Sequence, residues 1–166
     1  MQGNNYVIVG GSSGIGLALV KLISAAGGNV LVLSRTGDAL AGITNVEHHS
    51  LDMLTDEIPT DILPQEIHGV AYCPGSIVLK PFRSLKTEQF QADFNINVLG
   101  AVKTLKACYK GLKKSGNGSV VLFSTVAVQH GMPFHASISA AKGAIEGLTR
   151  SLSAEWAPII RVNCIA

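Results

Sequence analysis

Charge is what this sequence has least of: Asp, Glu, Lys and Arg make up 14% of its 166 residues, where a soluble domain carries about 25%. The deficit is concentrated from Ser115 to Ala141, 27 residues without one charged side chain. Gly, Ser, Asn, Gln, His and Pro interrupt that stretch well before the ~20 continuous apolar residues that a membrane span needs, so no membrane association is expected. Cysteine is scarce too. Cys73, Cys108 and Cys164 are odd in number, far apart and without a CxxC pair, which argues against a disulfide scaffold and against a metal site. They read as free thiols of a reducing cytoplasm. The N-terminus has neither the basic start nor the apolar run of a signal peptide. A formal net charge of +2 is too mild for a nucleic-acid partner. No linker, repeat or low-complexity tract divides the chain, so residues 1–166 read as one domain.

What is present is apolar material, 47% of the residues, enough for a sheet buried on both faces. Short β-branched runs alternate with helical periodicities. Strands are predicted at Tyr6–Val9, Asn29–Leu33, Val46–Leu51, His68–Cys73, Ser119–Phe123 and Ile160–Ile165. Helices are predicted over 14–26, 87–114 and 136–156. In the first, Ile15, Leu19, Leu22 and Ile23 share one face; in the second Val98, Val102, Leu105, Tyr109 and Leu112; in the third Ala141, Ala144, Leu148 and Leu152. Lys103, Lys106, Lys110 and Lys113 form a separate stripe that reads as a solvated face. His48 and His49 read as surface, and Trp156 as a core or subunit contact. The βαβ alternation implies an α/β, doubly wound parallel sheet with helices on both faces, of Rossmann type, whose ligand lies at the carboxyl ends of the strands. The sixth strand runs to the end of the chain.

Between the first strand and the first helix lies Val9-Gly10-Gly11-Ser12-Ser13-Gly14-Ile15-Gly16. Gly10, Gly14 and Gly16 permit a tight turn and a close backbone approach to a pyrophosphate. Ser12, Ser13 and Ile15 fill the loop, and the helix N-terminus offers free N–H groups and the positive end of its dipole. No Gly-Lys-Ser/Thr follows, which disfavours a P-loop. After the second strand come Ser34 and Arg35. An acid there would bond ribose hydroxyls, whereas a guanidinium suits a 2′-phosphate. NADP(H) is therefore expected over NAD(H).

GlyxxxGlyxGly resembles the opening of the short-chain dehydrogenase/reductase family, Thr-Gly-x-x-x-Gly-Ile-Gly, with Val9 in place of the threonine. Other landmarks follow in order. Asp52, followed by Met53, matches the acid that touches the adenine. Cys73-Pro74-Gly75 stands where the family has Asn-Ala-Gly, Asn97 matches its helix asparagine, Ser124-Thr125 its Ser-Ser, and Arg161-Val162-Asn163 its Arg-Val-Asn. The resemblance implies hydride exchange between a nicotinamide and a small carbonyl or hydroxyl substrate. It implies a lysine, here Lys142, that holds the nicotinamide ribose and lowers the pKa of a tyrosine one turn earlier. It also implies a substrate-orienting hydroxyl thirteen residues before that tyrosine, here Thr125, and Asn97 supporting a relay water. Position 138, four before Lys142, is isoleucine, which moves no proton. His135, Ser137 or water are the candidate substitutes. Two readings stay open: an atypical oxidoreductase, or a catalytically silent NADP(H)-binding sensor or structural module. The resemblance further implies a homodimer or homotetramer formed through the helices at 87–114 and 136–156. Family members run to about 250 residues, so a final strand and a substrate loop are expected beyond a sheet truncated after its sixth strand.

Overall fold

A computed structural model describes residues 1–166. Six strands are joined by parallel pairings in the order β3-β2-β1-β4-β5-β6: β1 Asn5–Val9, β2 Asn29–Ser34, β3 Val46–Ser50, β4 Gly69–Tyr72, β5 Gly118–Phe123 and β6 Ile160–Ile165. The order reverses at β1 and β4, whose carboxyl ends diverge to leave a crevice. Registers are regular: Val7 lies beside Leu31 and Val70, and Val120 beside Val162. The central strands are apolar on both sides, and Val7, Ile8 and Val9 are all buried, as a sheet covered on both faces requires.

One face is covered by α1 (Gly14–Ala25), with Val20 and Ile23 packed on Ile8, Val30, Val32 and Ala71. The stripe differs from the predicted one. Ile15 and Leu22 are exposed, because Gly16, Val20 and Ile23 form the inward row and their preceding neighbours lie about 100° round the helix. The opposite face carries the larger core, where α3 (Gly100–Lys114) and α5 (Ala136–Trp156) pack on Val7, Val9, Leu31, Tyr72, Val120 and Leu122, while α2 (Thr87–Phe94) lies against α5. A one-turn helix, α4 (Ala127–His130), leads into α5. No helix is long and apolar enough to cross a membrane.

Two connections depart from expectation. Only a 3-10 turn, Asp38–Leu40, bridges β2 and β3, and the segment before β4 is irregular. The helix expected over 87–114 is interrupted by a π turn at Asn95–Leu99, where the Gly100 N–H donates to the carbonyl of Asn95, five residues back. The cause is local: the Asn97 side-chain Nδ2 donates to the Asp93 carbonyl at 2.9 Å, competing for an acceptor of the α-helical ladder. The predicted stripe holds through this turn and beyond it, with Val98, Leu105 and Leu112 buried. The lysine stripe is not wholly solvated. Lys103 reaches the loop after β3, donating to the Asp56 carbonyl at 2.7 Å and pairing with Glu57 at 3.5 Å. Trp156 packs on Tyr109 with ring centroids 5.1 Å apart, so its partner is α3. His48 Nε2 donates to the Ser34 carbonyl across β2 and β3 at 3.0 Å.

Gly147 lies exposed in the middle of α5, and nothing stands within 4 Å of where its Cβ would be. Gly147→Ala is expected to stabilise the protein by about 0.5–1 kcal/mol, the ordinary helix penalty of glycine. Urea unfolding followed by circular dichroism reads the change; a lower midpoint contradicts it.

Candidate active site

The crevice at the carboxyl ends of β1, β2 and β4 is a cleft of about 680 Å³. It gathers the expected glycine-loop residues Gly10, Ser12, Ser13, Gly14, Ile15 and Gly16 with Arg35, Asp52, Met53 and Gly75. The loop is tied down by the Gly10 N–H, which donates to the Leu33 carbonyl at 2.8 Å. Gly10 and Gly14 hold φ of 74° and 51°, in the left-handed region. A Cβ on Gly16 would stand 2.3 Å from the Gly10 carbonyl oxygen, so loop and helix touch backbone to backbone. Ser13, at the N-cap of α1, makes no side-chain capping bond, and the first turn carries no acid. The first N–H groups of α1 therefore face the cleft without a side-chain acceptor, the condition for receiving an anionic group.

At the rim, the Arg35 backbone is held by Ser50 Oγ, which donates to its carbonyl at 3.2 Å, while its side chain is exposed. Asp52 Oδ1 accepts the Leu54 N–H at 2.9 Å, an Asx turn that fixes the wall where Met53 is buried.

The far end of the cleft holds the polar groups. A Cβ placed on Gly75 would stand 2.9 Å from Asn97 Oδ1 and 3.7 Å from Lys142 Nζ. Asn97 is 1% exposed, and its Oδ1 is buried without a hydrogen-bond partner in the protein. An orphaned acceptor beside an amine is costly unless something completes it. Lys142 is half-buried, and burial holds its pKa below the ordinary lysine value, opposed by the Cys164 and Cys73 thiols nearby. Burial pushes the Cys73 thiol up to about 11, so at neutral pH it is a protonated wall rather than a nucleophile. Glycine loop, free helix terminus, the arginine at the rim and the orphaned Asn97 oxygen together fit a nicotinamide dinucleotide.

The remaining expected residues are distributed less simply. Thr125 follows β5, and its Oγ1 accepts the Ala127 N–H at 3.3 Å. Its neighbour Ser124 is turned away, donating to Glu146 Oε1 at 2.7 Å. Ile138, one turn before Lys142 on α5, is 4% exposed. His135 Nδ1 donates to the Pro133 carbonyl at 2.7 Å, leaving Nε2 as its free nitrogen. Ser137 does not face the cleft as a proton donor should. It is 1% exposed, and its hydroxyl donates to Asp93 Oδ2 at 2.7 Å in the interior. Sequence reasoning missed Asp93 and its second partner, Ser76, which donates to Asp93 Oδ1 at 2.6 Å. The available signal was an acid one helical turn before Asn97, at the spacing that puts both on one helical face.

Known proteins are similar to this chain in sequence and in fold. The chain is 33% identical over 140 residues to the peroxisomal 2,4-dienoyl-CoA reductase of Saccharomyces cerevisiae, covering 81% of this chain and 46% of that protein. It is 28% identical to L-xylulose reductase of Bos taurus, covering 99% and 71%. It is also 27% identical to the bifunctional ribulose 5-phosphate reductase/CDP-ribitol pyrophosphorylase Bcs1 of Haemophilus influenzae, covering 99% and 34%. The chain thus spans half or less of two of these relatives. Among solved structures, a short chain dehydrogenase/reductase family protein superposes with a TM-score of 0.88 at 27% identity, over 98% of this chain and 73% of that one. A short-chain dehydrogenase from Streptomyces avermitilis gives a TM-score of 0.87 at 25% identity, over 99% and 65%. With residues 4–166 matching the short chain dehydrogenase family, and with that family's glycine loop, helix asparagine and lysine converging on one cleft, the chain belongs to it.

Proposed function

We propose that this chain carries the cofactor-binding and proton-handling part of an NADP(H)-dependent oxidoreductase that interconverts a small carbonyl compound and its alcohol, in an atypical form without the family's catalytic tyrosine. The observation that carries the reading is the convergence of Lys142 Nζ and Asn97 Oδ1 on Gly75, 3.7 and 2.9 Å from one point at the end of the glycine-loop cleft. The bound nicotinamide supplies or accepts the hydride. The chain's own residues do the rest. The α1 N-terminus and glycine loop hold the pyrophosphate, Lys142 the ribose, and Thr125 orients the substrate oxygen. Ile138 fills the tyrosine's position with a side chain that neither gives nor takes a proton. The names of the yeast and bovine relatives, both reductases, support the direction of the chemistry. Exposed Phe94 and Leu99 beside the π turn support pairing of two copies through that helix.

The test is NADPH oxidation by the purified protein against ketones, aldehydes, quinones and enones. Tight NADPH binding with no acceptor reduced above background defeats the oxidoreductase reading and favours a binding module without turnover, to which the buried, apolar Ile138 points. The cofactor preference has its own test. Arg35→Ala is expected to weaken NADPH binding about ten- to a hundredfold, the worth of a charge-assisted phosphate contact, and NADH binding no more than about threefold. Equal losses for the two cofactors contradict the assignment of Arg35 to the 2′-phosphate.

A further inference from the structure

Asp93 is the one acidic side chain in the core, 1% exposed, and no Lys, Arg or His lies within ion-pair distance of it. Its two oxygens are taken by two serine hydroxyls, Ser76 at 2.6 Å and Ser137 at 2.7 Å. With no cation beside it, this buried carboxyl depends on those two hydroxyls for its hydrogen bonds. The two donors differ. Ser137 is as buried as Asp93 itself, whereas Ser76 is exposed and lines the cleft. Ser76 follows Gly75, the residue on which Lys142 and Asn97 converge. Asp93 therefore has one hydrogen bond anchored in the interior and one that ends at the wall of the cleft. The loop after β4 and the start of α5 meet at this carboxyl, and the π turn is tied to the same residue's backbone, where Asn97 Nδ2 donates to the Asp93 carbonyl at 2.9 Å.

We propose that Ser76 and Asp93 carry the proton of the reaction, with Ser76 as the residue that touches the substrate oxygen and Asp93 as the buried proton store behind it. This rests on the oxidoreductase reading above. In alcohol oxidation the substrate O–H bond breaks and its proton passes to Ser76 Oγ, while the proton already on Ser76 passes to Asp93 Oδ1. The electron pair of the broken C–H bond leaves as hydride to the oxidised nicotinamide dinucleotide. In reduction the same atoms move in reverse: Asp93 returns its proton to Ser76 Oγ, and Ser76 gives its own to the carbonyl oxygen. Exchange with water through Ser76 resets the pair after product leaves. Ser137, holding the other oxygen, keeps Oδ1 aimed at Ser76.

The full chain is assayed as wild type, Ser76→Ala, Ser76→Thr and Asp93→Asn, on whichever acceptor the wild type reduces. Ser76→Ala is expected to lower kcat about 10²–10⁴-fold, the usual worth of a general acid, with KM for NADPH changed less than about twofold. Ser76→Thr, which keeps a hydroxyl, recovers most of that loss. Asp93→Asn falls as Ser76→Ala does; should it fail to fold, the exposed Ser76 variants still decide. A second measurement needs no turnover. In the cofactor-free protein, the Asp93 carboxyl carbon resonance is expected to shift when Ser76 becomes alanine. A wild type that reduces substrate, with Ser76→Ala within about threefold of it, overturns the relay and leaves the oxidoreductase reading standing. A wild type that reduces no acceptor overturns both. An unmoved Asp93 resonance overturns the relay.

Discussion

Gly16→Ala is expected to weaken NADPH binding by about a hundredfold or more, even though alanine is the better helix former. In an open helical position the exchange gains about 1 kcal/mol, as at Gly147. At Gly16 the sign reverses, because the added Cβ would stand 2.3 Å from the Gly10 carbonyl oxygen, 2.9 Å from the Gly10 carbonyl carbon and 3.0 Å from the Gly11 Cα. All three are backbone atoms, and none can turn aside as a side-chain end would. Either α1 moves outward or the turn at Gly10 opens. Each displaces the loop N–H groups from the first turn they act with. Two charge-assisted bonds to phosphate, at about 1.5–3 kcal/mol each, account for the expected loss. Gly14 makes the useful comparison: its Cβ position is open, but φ is 51°, so Gly14→Ala strains the backbone without a collision and should cost less affinity. NADPH titration of both variants, with circular dichroism to confirm folding, reads the difference. Gly16→Ala binding within about threefold of the parent would show that the contact between α1 and its loop does not set the site.

The glycine loop could be read before any coordinates because its cause is local: a strand, a turn with left-handed residues and a helix start are neighbours in sequence. The same holds for the strands, whose β-branched runs end within a residue or two of their predicted limits. The rest depended on distant parts meeting. The helix over 87–114 reads as continuous because Asn97 occupies an ordinary helical position by periodicity; only its side-chain bond to the Asp93 carbonyl reveals the π turn. Ile15 and Leu22 read as core because periodicity fixes relative faces but not which one meets the sheet, and a rotation of one residue exposes both. Ser137 reads as a donor from its nearness to Ile138 along the chain. Its partner, 44 residues away, takes that hydroxyl inward. Asp93 could not be singled out along the chain, because it is the only buried residue of the mostly polar α2, and its place needs α2, α5 and the loop after β4 brought to one point.

Lys142→Met is expected to separate folding from function. Burial disfavours the ammonium and holds the pKa of Lys142 below the ordinary value of 10.5, with Cys164 and Cys73 pulling weakly the other way. The unfolded chain then binds this proton more tightly than the folded one, so the lysine's contribution to stability rises with pH through the window between its folded pKa and 10.5. At neutral pH, below that window, the buried charge is a net cost. Methionine keeps most of the side-chain length and removes the charge, so the cofactor-free variant should melt above the parent at pH 7. The gap should narrow as pH approaches 10.5. Binding moves oppositely. Without the ammonium at the end of the cleft, NADPH affinity should fall about ten- to a hundredfold, and the cofactor should stabilise the variant correspondingly less. Thermal melts of the two proteins at pH 7, with and without NADPH, read both effects. A variant that melts below the parent without cofactor would show that Lys142 is part of the folded framework. One that keeps the parent's NADPH-induced shift would show that the ribose is held elsewhere. The expected pair, a steadier protein that binds worse, is the pattern of a lysine kept in a partly buried position for what it touches rather than for the fold.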